Sequence, residues 1–138
     1  MGGFGGRPLK LLLDTHIWVW SLVKPEKLRP RVSRELVNPA NELWLSPISV
    51  WETMLLLERG KLVVDGDAAD WLERMVRATP AREAPLTHEV AIRSRRVTVL
   101  HADPADRFLA ATALVHDMTL VTEDARLLKI REIRTLAG

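Results

Sequence analysis

Short apolar runs alternate along this chain with longer stretches in which apolar residues recur every three or four positions. Residues 9–13 form a short, largely apolar run that stops at Asp14, and its length suits a central strand of a parallel sheet. Thr15 can cap a following helix that carries Ile17, Trp18, Trp20 and Leu22. Pro25 and Pro30 punctuate a loop, and residues 31–37 read as a short helix closed by Asn38-Pro39. Residues 43–45 are a second candidate strand. Ser46-Pro47 then announces a helix that runs to Arg59 and ends at Gly60.

The same alternation continues to the end of the chain. Residues 68–78 form an amphipathic helix with Trp71, Leu72, Met75 and Val76, and residues 80–86 a connector with room for a short strand. Residues 87–96 are helical, capped by Thr87, with Val90 and Ile92 inward. Asp103-Pro104 opens a helix that ends near His116. Residues 118–121 form a strand, 125–128 a short helix and 133–136 a last strand. Strands that alternate with helices, without hairpin signatures, predict a three-layer α/β/α fold with a mostly parallel central sheet. Residues 1–8 are Gly-rich and read as a flexible tail, and residues 9–138 as one domain.

Four acids stand out against this pattern. Asp14 and Asp124 follow apolar strands, at the edge of a parallel sheet where ligands bind. Glu52 shares one side of its helix with Ile48, Leu55 and Leu56, where a carboxylate is costly unless compensated. Asp106 lies in the first turn of its helix, with Ala110 and Ala113 on the same side. Each acid has a structural alternative. Asp14 can cap a helix, Ser49-Val50-Trp51-Glu52 matches a capping box, Asp103 and Asp106 suit a helix start, and Asp124 suits a turn. Taken together they suggest a cage for divalent cations. Asp103, Thr15, Thr122 and Arg107 are candidate auxiliaries: Thr122 to orient an acid or a metal-bound water, Arg107 to steady a phosphate or pair with an acid. His16 and His101 flank acids and are candidates to touch substrate.

Composition narrows the class. The 138 residues contain no Cys, which excludes disulfides, thiolate metal sites and a cysteine nucleophile, and which fits a reducing cytoplasm. No apolar run approaches the ~20 residues of a bilayer span. There is no G-x-S-x-G turn, P-loop or dinucleotide fingerprint. Twenty basic residues face eighteen acidic ones. If four of the acids share one pocket, the remaining surface is basic and suits a polyanion. Val50, Met54 and Leu57 form a second apolar stripe opposite Glu52; with Trp18 and Trp20 it suggests a homodimer or partner contact, or an internal core.

LLLDTHIWVW, LWLSPISVWETMLLLERGKL, LTHEVAIRS and LHADPADRFLAATALVHDMTLVTEDARL, in this order and spacing, resemble the PIN-domain family, and in particular its VapC-type toxin ribonucleases. The resemblance covers residues 9–136. It implies a PIN-like nuclease domain and a metal-dependent endoribonuclease. Mg²⁺ or Mn²⁺ would be held by Asp14, Glu52, Asp106 and Asp124, with RNA as substrate and a cognate antitoxin as partner. A non-catalytic PIN-like module that binds RNA or protein is the alternative.

Overall fold

The computed structural model describes residues 8–98 and 103–137. His101 and most of the Gly-rich tail lie outside them. Strand β1 (Lys10–Leu13) leads into α1 (Thr15–Val23), a 3₁₀ turn (Pro25–Lys27) and α2 (Pro30–Val37). Then come β2 (Glu42–Leu45), α3 (Pro47–Glu58), α4 (Ala68–Ala78), β3 (Arg82–Glu83) and α5 (His88–Ser94). The chain finishes through α6 (Pro104–Val115), β4 (Thr119–Thr122), α7 (Ala125–Leu128) and β5 (Arg134–Ala137). The five strands form one sheet in the order β3-β2-β1-β4-β5, and every pairing is parallel.

Side-chain alternation along the central strands makes the three layers. Leu12 and Leu120 face one side, where Val90, Leu109, Ala110, Ala111, Ala113 and Leu127 cover them from α5, α6 and α7. Leu11, Leu13 and Val121 face the other, against Ile17 and Trp18 of α1, Val32 of α2 and Leu72 of α4. The alanines of α6 are fully or almost fully buried, so this helix packs close to its neighbours on more than one side. Val50, Met54 and Leu57 of α3 pack onto the second cluster, which makes that stripe internal.

Helix ends follow local chemistry. Ser46, not Ser49, caps α3: its hydroxyl accepts the Ile48 N–H at 3.0 Å, with Pro47 at the first helical position. The S-x-x-E match at residues 49–52 is therefore not a capping box, and Glu52 is left available for other contacts. After α3, Gly60 adopts φ 71°, and the Lys61 N–H reaches back to the Leu56 carbonyl at 2.9 Å. This αL termination favours glycine. Asp117 takes the same role after α6 at φ 55°, with the Met118 N–H bonded to the Ala113 carbonyl at 2.8 Å.

Three expectations change. Ile92 points outward at 60% exposure, because α5 turns its Val90 and Ser94 side to α6. Trp18 is fully buried and is no surface contact. Asp14, not Thr15, caps α1, accepting the Thr15 N–H at 2.7 Å.

Candidate active site

The parallel sheet brings the carboxyl ends of β1 and β4 side by side, since Leu13 pairs with Val121 and the Asp14 N–H bonds the Val121 carbonyl at 2.9 Å. Asp14 and Asp124 thereby leave the sheet at one edge. The N-terminal turn of α6 adds Asp103 and Asp106, and the second turn of α3 adds Glu52. These acids line one cleft of about 350 Å³, together with His16, Trp20, Glu123 and Arg126.

Two of the acids are deeply set, Asp14 at 6% exposure and Asp106 at 8%. Asp14 splits its oxygens. Oδ1 accepts the Thr15 N–H, and Oδ2 accepts the Thr122 hydroxyl at 2.7 Å. Thr122 Oγ1 in turn accepts the Asp124 N–H at 3.1 Å, so this one hydroxyl ties two acids together. The Thr15 hydroxyl donates to Glu52 Oε1 at 2.5 Å and lies 3.1 Å from Ser49 Oγ. A hydroxyl has one proton, and the shorter contact to the carboxylate takes it. Asp103 caps α6, with Oδ1 accepting the Ala105 N–H at 2.9 Å. That cap fixes the turn on which Asp106 sits.

Burial pushes the Asp14 carboxyl above its ordinary range, and the Asp106 charge adds to this; Thr122, His16 and the Thr15 N–H pull the other way. Burial likewise raises Glu52, with Asp14 and Asp103 repelling its charge and Thr15 and His16 easing it. Among the described residues neither has an ion-pair partner. A buried carboxylate without a counter-charge costs several kcal/mol, and a charged hydrogen bond returns about 1.5–3 kcal/mol. The hydroxyls around Asp14 and Glu52 therefore orient the acids without neutralising them.

The donor set is all oxygen and strongly negative, which is the chemistry of a hard divalent cation. Among the described residues no three acidic or imidazole groups form a ready-made ion cage. An ion fits the set only by drawing side chains inward.

The auxiliaries divide. Thr15 and Thr122 each hold an acid, and Asp103 lines the cleft. Arg107 points away from it: its guanidinium donates to the carbonyls of Ser94 and Val97, at 3.3 and 3.4 Å, beyond the end of α5. It neither lines the cleft nor reaches an acid there among the described residues, because a residue next to Asp106 on a helix projects about 100° away from it. Asp124 does more than turn the chain. It caps α7 through the Arg126 N–H at 2.8 Å and binds the Arg126 guanidinium at two points, 3.3 and 3.2 Å. Arg126, Glu123 and Trp20 are cleft residues that the sequence reading passed over. Arg126 had a signal, since it follows a strand-end acid by two residues in a first helical turn.

The PIN-domain family model matches residues 11–133. The chain is 32% identical to Ribonuclease VapC22 of Mycobacterium tuberculosis over 125 residues, which are 90% of this chain and 94% of that protein. Its fold is similar to the solved structure of VapBC2 from Rickettsia felis bound to a promoter DNA fragment, with TM-score 0.69, 14% identity and coverage of 94% and 98% of the two chains. DNA-bound VapBC from Salmonella typhimurium superposes with TM-score 0.65 at 20% identity, covering 94% and 98%. With its acid-edged parallel sheet, the chain belongs to the PIN-domain family, in its VapC-type group.

Proposed function

We propose that this protein is a divalent-cation-dependent endoribonuclease of the VapC type, acting in the cytoplasm as a toxin that a cognate antitoxin restrains. One observation carries the reading: acids from β1, α3, α6 and the β4–α7 turn, far apart in sequence, line a single cleft. The likeness to a named ribonuclease supports the substrate, and the likeness to VapBC complexes supports the antitoxin. Asp14, Glu52, Asp106 and Asp124 would hold Mg²⁺ or Mn²⁺.

A bound divalent cation would supply Lewis-acid activation of water and charge neutralisation at the phosphate. The chain's own groups do the rest. Thr122 and Thr15 fix the rotamers of Asp14 and Glu52, so their oxygens face the cleft. Asp103 holds the first turn of α6 and with it Asp106. Trp20 and His16, with ring centroids 6.1 Å apart, wall the mouth of the cleft and offer a surface to a base or ribose.

Incubation of the purified protein with single-stranded RNA, single-stranded DNA and a small phosphodiester tests the reading. Internal cleavage of RNA in Mg²⁺ or Mn²⁺, stopped by EDTA, is the expected result. Preferred cleavage of DNA or of the small ester would overturn the substrate class. No cleavage of any substrate would leave the non-catalytic binding module.

A homodimer forms part of the reading. Trp51 is 55% exposed on α3, and neither it nor Ile48 and Leu55 belongs to a core cluster. Ile48 and Leu55 lie roughly opposite the internal Val50, Met54 and Leu57 stripe, with Trp51 about a quarter-turn from it. Sedimentation at micromolar concentration should show a dimer that Trp51→Glu dissociates; a monomeric wild type would contradict it.

A further inference from the structure

Next to the acid-lined cleft lies a second cleft of about 260 Å³, lined by Thr98, Arg126, Lys129, Ile130, Arg131 and Glu132. Arg126 belongs to both, so the two are contiguous. Their charges are opposite. Among the described residues the second holds three cations against one acid, and Glu132 is engaged in accepting the Thr98 N–H at 3.1 Å. Lys129 and Arg131 are exposed, and among the described residues neither makes an ion pair or a side-chain hydrogen bond. Three cations elsewhere have acids beside them. Arg134 is paired with Asp117, and Arg74 and Arg77 on α4 share a cleft with Asp67, Asp70 and Glu73.

A cleft lined by acids repels the polyanion it is meant to cut. A nucleic-acid strand can be kept there only if phosphates on either side of the reacting one are held by fixed cations nearby. We infer that the Arg126–Lys129–Arg131 cleft binds the sugar–phosphate backbone of the RNA immediately beside the bond that is cut, and so sets the path of the strand across the sheet edge. The inference rests on the ribonuclease reading for the identity of the strand. Arg126 lies on α7, and Lys129 and Arg131 on the connection that follows it, so their spacing is fixed by the buried side chains of Leu127 and Ile130 between them. Arg126 stands at the boundary, where its bidentate pairing with Asp124 can be exchanged for a phosphate of the same planar geometry.

The test is binding, measured separately from turnover. Fluorescence anisotropy of a short labelled single-stranded RNA is followed over a range of salt, with every protein carrying Asp14→Asn to prevent cleavage. Adding Lys129→Ala and Arg131→Ala together should weaken binding by about tenfold and make the slope of log K against log salt shallower by about 1.4, at ~0.7 per lost phosphate contact. Adding Arg74→Ala and Arg77→Ala instead removes the same charge from α4 and should change neither quantity. Unchanged affinity and slope in the first pair, or an equal loss in the second, would overturn the inference. Failure of wild-type protein to cut RNA would overturn the ribonuclease reading instead, and the binding comparison separates the two.

Discussion

Asp14→Asn is expected to abolish RNA cleavage, by about 10³-fold or more, and at the same time to raise the melting temperature of the cation-free protein at neutral pH. The loss follows from removing a proposed cation ligand, whose contribution to the transition state is several kcal/mol at ~1.4 kcal/mol per tenfold. The gain follows from the direction in which the Asp14 carboxyl is shifted. Its value in the fold lies above the usual 3.8, chiefly through burial. Between those two values the folded chain holds a proton that the unfolded chain has released. Stability contributed by this site therefore falls as pH rises through that window, and the full penalty stands above it. An amide has no such penalty. Asn also caps a helix as well as Asp does, and its oxygen can keep the Thr15 N–H while its nitrogen donates to Thr122 Oγ1. Thermal unfolding in EDTA reads the effect: the advantage of the variant should be present at pH 7 and vanish as pH falls towards the unfolded carboxylate range. A variant that is less stable than wild type at every pH would contradict the account of Asp14 as a strained, functional acid.

Trp18→Ala should produce the other large effect, on folding. Trp18 is wholly buried in the cluster with Leu11, Leu13 and Val32, and its indole N–H donates to Thr79 Oγ1 at 2.9 Å. Thr79 ends α4, so this side chain fastens α1 to α4 across the layer. Truncating a buried Trp costs about 3–5 kcal/mol. At roughly 3 °C per kcal/mol for a domain of this size, the melting temperature should fall by about 10 °C or more. Ile92→Ala, at an exposed site on α5, should cost ~1 kcal/mol or less. Equal losses at the two positions would mean that the packing of α1 described here is wrong.

The legible parts of the fold were those fixed by local chemistry. Ser46-Pro47 and Asp103-Pro104 each pair a side-chain acceptor with a residue that cannot donate, and α3 and α6 begin there. Residues 125–128 follow a capping Asp and form α7. The ordering of strands was not legible, because the β3-β2-β1-β4-β5 arrangement depends on pairing between distant segments and no local residue encodes it. The candidate acids stood out for a different reason: Glu52 and Asp14 stand where burial makes a carboxylate expensive. Side-chain direction was the weak point. Trp18 and Trp20 share a helix, yet one fills the core and the other walls the cleft. Arg107 follows Asp106 and serves α5 instead. Arg126 and Glu123 went unread because an exposed charge near a strand end looks like any other until the sheet edge beside it is known.

Calorimetric titration of Mn²⁺ into the wild-type protein near neutral pH tests most directly whether these scattered acids form one cation site. Saturable binding is expected, which Asp14→Asn and Glu52→Gln each abolish or weaken at least tenfold, since each removes a charged ligand from the same set. Binding that survives both substitutions unchanged, or no binding to the wild type, would contradict the single site.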